Sequence, residues 1–231
     1  FVPAAVCLAA SLVLGVASPA AAVTTARPAL TTAPAEPKAY VLFDADTGNV
    51  LAAADEREPL PPASITKLLT ALVVVAKLPA DAKVAITPDA EQMPAMKIGV
   101  KVGETWSRDD LLRSMLMVSA NDAAVALAEA IGVSREGFAA TRADAARQLG
   151  LADAPVLKDP AGLDDEHSND GGDRISARDM AIVARAALGD PLVRQIVGTQ
   201  KYSFVGPDGE RHSELDPDGQ QEPEGIHHLT R

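Results

Sequence analysis

Two residues of this chain, Ser64 and Lys67, have the types and the spacing that a covalent catalytic step needs. They lie three positions apart, directly after the proline-rich stretch Pro59–Pro62 and at the start of an apolar segment. If a helix begins here, both side chains share one helical face, and the serine lies beside free backbone N–H groups at the positive end of the helix. Those groups favour an oxygen nucleophile and a developing oxyanion, and a lysine whose pKa is lowered by burial can accept the serine proton. In this interpretation Ser64 is the nucleophile of a catalytic site and Lys67 is its base.

The residues after Ser64 help to decide between this interpretation and an ordinary one. Taken alone, Ser-x-x-Lys occurs often by chance and is typical of a helix N-cap followed by an exposed lysine. Here Lys67 is the only charged residue between Ser64 and Val75. A single charge in so apolar a helix lies either at its rim or in a functional site. Apolar residues recur at helical spacing and predict a helix buried on most sides: Ile65, Leu68, Leu69, Leu72 and Val73, with Val74 and Val75 beside them.

A second polar group, Ser119–Asn121, separates two apolar helical patterns, Leu111–Met117 and Ala123–Ile131. Short polar side chains at such a junction can point into a shared cleft, where the Ser119 hydroxyl could relay a proton and the Asn121 amide could hold a substrate amide. Taken alone, ordinary turn chemistry explains the same residues, because serine and asparagine both favour helix junctions. The prediction that they belong to a catalytic site rests on their combination with the Ser-x-x-Lys segment.

The combination of Ser-x-x-Lys with a later Ser-x-Asn resembles two of the three motifs of penicillin-binding proteins and class A β-lactamases. The wider sequence is similar to the low-molecular-mass D-alanyl-D-alanine carboxypeptidases, peptidase family S11, over residues 38–231. The resemblance is most specific in the two motif-bearing blocks, Pro62–Leu72 and Ser119–Gly132. Three further blocks add to it: Val41–Ala52, Asp159–Glu166 and Ser176–Leu188.

The resemblance implies roles for four residues. Ser64 would form an acyl-enzyme and release the terminal D-alanine of a peptidoglycan stem peptide, and Lys67 would accept the serine proton. Ser119 would pass a proton to the leaving amine, and Asn121 would bind the substrate. Water would then deacylate the serine, and β-lactam antibiotics would inhibit the protein by trapping it. Neither a metal nor an organic cofactor would be needed.

The chain departs from this family in two places. The third motif, Lys-Thr-Gly, is absent, and Ile226–Arg231 resembles the segment that comes shortly before it. We therefore expect that the sequence is truncated before that motif, and that the chain as given has little or no carboxypeptidase activity. The second departure is the pair Arg142-Ala143, where the family usually carries Met-Asn. We expect this pair to lie on a helix away from the motifs and to have little effect on the chemistry.

Two other functions stay open at this point. A class A β-lactamase-like hydrolase would use the same serine and lysine, but it would need a glutamate to activate the deacylating water. Glu166 precedes Asn169 by three residues rather than the usual four, which disfavours that role. A non-catalytic homologue that binds penicillin or peptidoglycan without cleaving it would account for the missing third motif.

Metal and nucleic-acid sites are not predicted. The acidic residues within Asp164–Asp173 lack the spacing of an EF-hand and are expected to form a solvated loop. His212 and the pair His227–His228 lack the spacing of zinc ligands and are expected at the surface. The formal net charge of −11 argues against a nucleic-acid partner, which would need a basic face. The single cysteine, Cys7, cannot form an intramolecular disulfide.

The order of the elements predicts an α+β fold rather than an alternating parallel α/β fold. A hairpin of Tyr40–Phe43 with Asn49–Ala53 comes first, a block of helices follows, and extended structure returns at Tyr202–Val205. Three of the helices are predicted to begin at serine N-caps: Ser107, Ser134 and Ser176. With the family resemblance, we expect a β-lactamase/DD-peptidase-like domain. It would have an antiparallel sheet with flanking helices and a mostly helical subdomain, the sheet being incomplete in this chain.

The first residues indicate export. An apolar run followed by small residues in an Ala-x-Ala arrangement predicts that residues 1–22 are the remnant of a secretory signal, with a membrane anchor as the rival interpretation. Residues 23–37 are predicted to form a Thr/Pro/Ala-rich linker, and residues 38–231 a catalytic domain that is incomplete at its C-terminal end. We expect an exported protein of the cell envelope, either secreted or membrane-associated, which a missing C-terminal segment could attach to the membrane.

Overall fold

The computed structural model describes residues 36–132, 134–164, 168, 171–207 and 209–214. The predicted export signal and all but the last two residues of the predicted linker lie outside the described residues, and so does Ile226–Arg231. Every helix and strand described below belongs to the unit that begins at Pro37. None of the described helices has both the length and the apolar character needed to span a bilayer.

Short antiparallel hairpins supply the strands of the described residues. The first pairs β1 (Tyr40–Phe43) with β2 (Val50–Ala54). The second pairs β3 (Lys83–Ala85) with β4 (Thr105–Ser107), and the third pairs β5 (Tyr202–Val205) with β6 (Arg211–Glu214). The predicted extended segments near both ends are therefore confirmed. Each sheet has two strands, so the described part of the chain contains hairpins rather than one larger sheet.

Seven helices accompany these hairpins in the described ranges: α1 (Lys67–Lys77), α2 (Pro88–Glu91), α3 (Arg108–Met117), α4 (Asn121–Gly132), α5 (Arg135–Leu149), α6 (Ala177–Gly189) and α7 (Pro191–Val197). The predicted caps are confirmed, because the side chains of Ser107, Ser134 and Ser176 each accept the backbone N–H three positions on. Caps of this kind are worth about 1 kcal/mol each. The short helices α2 and α7 were not predicted. Each begins with a proline behind a capping residue, a signal that apolar periodicity does not reveal.

Helix α4 forms the centre of the main hydrophobic core. Residues Ala123–Ala128 are all buried, because their small side chains allow α1, α3 and α5 to pack closely against them. Trp106 and Leu111, from β4 and α3, belong to the same core. A second core around Leu69 and Val183 lies between α1, α5 and α6. Helix α1, which follows the Ser-x-x-Lys segment, is therefore held between two cores.

The buried face of α1 differs from the predicted one. Ile65 is 50% exposed, whereas Lys67 and Thr70 are buried. The residues Ala63–Thr66 form a 3₁₀ turn, which has fewer residues per turn than an α-helix. The position of Ile65 is therefore rotated away from the apolar face that an uninterrupted α-helix would give it. The remainder of α1 is buried on most sides, as predicted.

Candidate active site

Ser64 and Lys67 lie where the 3₁₀ turn Ala63–Thr66 continues into α1. Ala63 has a positive φ of 49°, which redirects the chain as it leaves the proline-rich stretch. Ser64 is exposed, whereas Lys67 is only 2% exposed. A substrate can therefore reach the serine hydroxyl from solvent, while the lysine amine lies buried beside it.

The amine nitrogen of Lys67 contacts four oxygen atoms, one from the neighbouring Ser64 and three from distant parts of the chain. It lies 2.9 Å from Ser64 Oγ, 3.2 Å from Ser119 Oγ, 2.9 Å from Asn121 Oδ1 and 2.7 Å from the carbonyl oxygen of Ala161. The structure thus brings together at one point the four residues that the sequence analysis selected. The cluster has a fifth residue, Ala161, which contributes its backbone carbonyl oxygen and was not predicted.

Burial lowers the pKa of Lys67 from 10.5 to about 8. The carboxylates of Asp159 and Asp122 oppose this change, since negative charges favour the ammonium form, but burial has the larger effect. A pKa of about 8 leaves roughly a tenth of the side chain as neutral amine at pH 7. The lysine can therefore act as a proton acceptor near neutral pH, where an ordinary lysine is almost fully protonated.

The second motif lies in a sharp break between α3 and α4, as predicted. Ser119 has a positive φ of 61°, which residues other than glycine rarely adopt, and α4 begins two residues later. The side-chain amide of Asn121 has a defined orientation, because Oδ1 accepts from Lys67 while Nδ2 donates to the carbonyl oxygen of Pro94 at 3.1 Å. The break therefore directs both polar side chains of the motif toward the lysine amine.

Asp122, directly after the second motif, is fully buried and was not predicted as part of the site. Its carboxylate accepts the backbone N–H groups of residues 98–100 at 2.8–3.2 Å and that of Ala123 at 2.8 Å. The backbone N–H of Asn121 donates to the carbonyl oxygen of Met96 at 2.7 Å. Burial raises the pKa of Asp122, while these N–H groups lower it. The aspartate thus holds the segment before β4 against the start of α4, beside the second motif.

A second buried carboxylate, Asp159, shapes the turn that carries the Ala161 carbonyl. Its Oδ1 accepts the backbone N–H groups of residues 161–163 at 2.8–3.1 Å. Its Oδ2 accepts hydrogen bonds from Arg135 at 2.9 Å and from the Ser168 hydroxyl at 2.8 Å. These hydrogen bonds hold the turn in the conformation in which the carbonyl oxygen of Ala161 meets the amine of Lys67.

The turn of residues 159–163 packs directly on the 3₁₀ turn Ala63–Thr66, here called the nucleophile turn after Ser64, the predicted nucleophile. Gly162 has a positive φ of 80°, and a Cβ atom at this position would lie 2.1 Å from the carbonyl oxygen of Ala63 and 2.8 Å from Cγ2 of Thr66. Glycine permits both this backbone conformation and this close approach. The sequence Asp-Pro-Ala-Gly predicts a turn, but the surface that the turn meets is set by the fold.

The prediction that Arg142 lies away from the motifs is wrong. It does lie on a helix, α5, but its side chain is fully buried and donates hydrogen bonds to Thr66, to the carbonyl oxygen of Asp159 and to Asp173. The prediction failed because a long arginine side chain can reach from its helix to a neighbouring turn and loop, which a helical pattern does not show. Asp173, expected in a solvated loop, is also buried, because it pairs with this arginine.

The other acidic and histidine residues named above form no metal-binding group in the part of the chain that the structure describes. Asp164 is exposed, as expected for a solvated loop. His212 is half-buried rather than at the open surface, since its ring stacks on Phe204 and meets the edge of Trp106. Among the described residues, no three metal-binding side chains converge. Outside the described residues lie Asp165, Glu166, Asn169, Asp170, His227 and His228.

Comparison with known proteins gives consistent matches. Residues 23–212 match the family model Peptidase_S11, described as D-alanyl-D-alanine carboxypeptidase. The chain is 35% identical over 169 residues to D-alanyl-D-alanine carboxypeptidase DacF of Bacillus subtilis, which covers 71% of this chain and 42% of that protein. It is 33% identical over 172 residues to D-alanyl-D-alanine carboxypeptidase DacB2 of Mycobacterium tuberculosis, covering 74% of this chain and 57% of that protein. The chain therefore spans about half the length of these curated relatives.

A solved structure supports the fold. The crystal structure of a D-alanyl-D-alanine carboxypeptidase from Mycobacterium tuberculosis matches with a TM-score of 0.71 and 30% identity. The match covers 78% of this chain and 66% of that chain. The predicted α+β fold of the DD-peptidase-like type is confirmed.

Proposed function

The chain belongs to the D-alanyl-D-alanine carboxypeptidase family, peptidase family S11, and from this premise we propose that the protein removes the terminal D-alanine from peptidoglycan stem peptides. The proposed intermediate is an acyl-enzyme on Ser64, with Lys67 as the base, Ser119 as a proton relay and Asn121 as a substrate-binding residue. The observation that carries the proposal is the amine of the buried Lys67, which lies 2.9 Å from the hydroxyl oxygen of the exposed residue Ser64.

The four oxygen neighbours of the lysine amine support its role as a base. Two of them, the Ala161 carbonyl and Asn121 Oδ1, can only accept hydrogen bonds, whereas the hydroxyls of Ser64 and Ser119 can also donate. A neutral amine has two N–H groups and one lone pair. When the two N–H groups donate to the carbonyl and amide oxygens, the lone pair remains for a hydroxyl proton. The neutral form of Lys67 is therefore arranged to accept the proton of the nucleophile.

In the proposed acylation, Ser64 Oγ attacks the carbonyl carbon of the penultimate D-alanine while its proton moves to Lys67 Nζ. The tetrahedral oxyanion collapses, and the C–N bond to the terminal D-alanine breaks. The leaving amine takes a proton that the lysine passes on through Ser119 Oγ, which lies 3.2 Å from Nζ. Water then attacks the ester, and the serine oxygen regains a proton, so that each cycle consumes one water molecule.

Asn121 is proposed to bind the substrate with the part of its amide that the protein does not use. Its Oδ1 faces Lys67, and one of the two N–H groups on Nδ2 donates to the Pro94 carbonyl. The second N–H can donate to a carbonyl oxygen of the stem peptide. Because the amide is held at both ends, its direction is fixed before the substrate arrives.

We also propose that the protein is exported and acts in the cell envelope, where it contributes to peptidoglycan biosynthesis and cell shape and is inhibited by β-lactams. The apolar run and Ala-x-Ala pattern in residues 1–22 support export. Determining the N-terminus of the protein recovered from the cell envelope tests this. A start near residue 23 supports cleavage, whereas retention of residues 1–22 supports the membrane-anchor interpretation.

Release of D-alanine tests the catalytic proposal. The full-length protein, meaning the product of the complete gene with any residues that precede Phe1 or follow Arg231, is incubated with a peptide ending in D-Ala-D-Ala, and free D-alanine is measured. We expect release by the wild type and by Ser203→Ala, which replaces an exposed serine of β5, and no release by Ser64→Ala. Release by Ser64→Ala at the wild-type rate would refute the role of this serine.

A labelled penicillin separates the two alternative functions from the proposed one. A long-lived adduct together with D-alanine release supports the carboxypeptidase. Rapid and repeated hydrolysis of the penicillin would instead indicate a β-lactamase-like enzyme. An adduct or reversible binding without any D-alanine release would indicate a non-catalytic homologue.

A further inference from the structure

Arg142 is among the largest fully buried side chains of the described residues, and both of its terminal nitrogens are directed at oxygens. Nη1 donates to the carbonyl oxygen of Asp159 at 2.9 Å and, over a longer distance of 3.3 Å, to Asp173 Oδ1. Nη2 donates to Asp173 Oδ2 at 2.7 Å and to the hydroxyl oxygen of Thr66. A planar guanidinium can serve such a set of acceptors at once, whereas lysine cannot.

Two of these contacts lie close to Lys67 along the chain. Thr66 directly precedes the lysine in the nucleophile turn, and its hydroxyl donates to Asp173 Oδ2 at 2.7 Å. Asp159 begins the turn in which Ala161 presents its carbonyl oxygen to the lysine amine at 2.7 Å. The guanidinium therefore joins the two segments between which the lysine amine is placed.

Asp173 balances the charge of Arg142 and holds the same turn from another side. Besides the guanidinium, Asp173 Oδ1 accepts the backbone N–H groups of Lys158 and Asp159 at 2.7 and 2.9 Å. The cluster thus makes two separable contributions. One is the mutual compensation of two buried charges, and the other is the donation of hydrogen bonds by the arginine to Thr66 and to the carbonyl oxygen of Asp159.

We infer that Arg142 is a positioning residue for the proposed reaction: it fixes the nucleophile turn relative to the Ala161 carbonyl, and thereby fixes Lys67 Nζ relative to Ser64 Oγ. The inference rests on the proposed function of Ser64 and Lys67 and extends it to a residue that does not touch the reacting atoms. In this chain a polar network supports the site from a position where the family usually carries methionine.

The test compares the rate of acylation with thermal stability in the full-length protein. The variants are Arg142→Met, Asp173→Asn and the double variant Arg142→Met/Asp173→Asn. The control is Arg147→Met, which removes an arginine of the same helix whose side chain is 73% exposed. The measurements are the second-order rate constant for acylation by a fluorescent penicillin, at a temperature well below unfolding, and the midpoint of thermal unfolding.

We expect Arg142→Met to slow acylation on the order of tenfold to a hundredfold, because small displacements of catalytic groups have effects of that size. It should also lower the unfolding midpoint, because Asp173 is left as a buried, uncompensated charge. In the double variant the midpoint should recover in part, since no unpaired charge remains, whereas acylation should stay slow, since the carbonyl oxygen of Asp159 still lacks its donor. Arg147→Met should change neither quantity.

A purely structural role predicts that stability and acylation recover together. Acylation by the double variant at the wild-type rate would therefore overturn the inference, and so would wild-type acylation by Arg142→Met. The double variant also gives an answer if Arg142→Met alone does not fold. Ser64→Ala, measured in parallel, separates the test of the proposed function from the test of Arg142. Persistent labelling of Ser64→Ala would refute the proposed function, whatever the arginine variants do.

Discussion

The amine nitrogen of Lys67 lies 2.9 Å from the hydroxyl oxygen of Ser64, although one side chain is buried and the other exposed. The 3₁₀ turn before α1 makes this possible, because it brings residues three apart onto the same side of the chain. The proposed base is buried, whereas the proposed nucleophile stays accessible. The burial of the lysine is also what lowers the pKa of its amine.

The rate of acylation should depend on pH through Lys67. Because burial lowers its pKa to about 8 and the neutral amine is the proposed base, the acylation rate constant should rise with pH and level off above about pH 8. Stopped-flow measurement of penicillin acylation between about pH 6 and pH 10 gives the profile. A flat profile across this interval would contradict the assignment of the lysine as base.

Replacing the lysine with an arginine keeps the charge but removes the basic lone pair. We expect Lys67→Arg to lose the rise of the acylation rate constant near pH 8, and to acylate at least about a hundredfold more slowly than the wild type at pH 8. Lys77→Arg, at the exposed end of the same helix, is the matched control and should behave as the wild type.

The same pKa shift predicts how the free energy of unfolding changes with pH. In the folded protein Lys67 releases its proton near pH 8, whereas in the unfolded chain it does so near 10.5. The unfolded state therefore binds more protons between these values, and the wild type should gain stability as the pH rises through this window. Relative to Lys67→Met, the gain should be about 3 kcal/mol in total. Denaturant unfolding of both proteins at several pH values measures it, and a constant difference between them would contradict the lowered pKa.

The close contact between the two turns can be tested at Gly162. Substitution by alanine would require a positive φ of 80° and place a Cβ atom 2.1 Å from the carbonyl oxygen of Ala63. The control is Gly103→Ala, since Gly103 has a positive φ of 94° but no atom within 4 Å of the added carbon. Both variants bear the cost of the backbone conformation, and Gly162→Ala should lose an additional ~1–3 kcal/mol from overpacking. Equal losses in denaturant unfolding would mean that the turns are not packed as described.

Much of the site could be predicted from the sequence because its central residues belong to two short motifs. Ser64 and Lys67 are neighbours along one turn, and Ser119 and Asn121 mark a break between two clearly apolar helices. The positions of helices α3, α5 and α6 followed from similarly local information, a serine cap ahead of an apolar pattern.

The parts that could not be predicted depend on contacts between distant residues. The carbonyl oxygen of Ala161 meets Lys67 across 94 positions of sequence, and any residue has a carbonyl group, so nothing in its type marks it. Arg142 reaches Thr66 across 76 positions, and a buried arginine has the same sequence appearance as an exposed one. Asp122 looks like an ordinary acidic residue in the first turn of a helix.

Asp122 provides a further prediction because its carboxylate accepts N–H groups from three successive residues, 98–100. In Asp122→Asn only one of the two side-chain oxygens remains, so some of these buried donors lose their acceptor. We expect a loss of about 1–3 kcal/mol in the free energy of unfolding. Amide hydrogen exchange should be faster at residues 98–100 than in the wild type. Asp144→Asn, at a side chain that is 59% exposed, should alter neither property. Unchanged protection of residues 98–100 in Asp122→Asn would show that the Asp122 carboxylate does not hold this segment against α4.

The most direct test of the central claim is to locate the penicillin adduct by mass spectrometry of proteolytic peptides from the full-length protein. We expect a single acylated peptide that contains residues 63–67, with the adduct on Ser64, and no adduct in Ser64→Ala. We also expect slow formation of that adduct in Lys67→Arg, because the proton of the hydroxyl then has no acceptor. An adduct on any other residue, or its undiminished formation in Ser64→Ala, would contradict the assignment of Ser64 as the nucleophile.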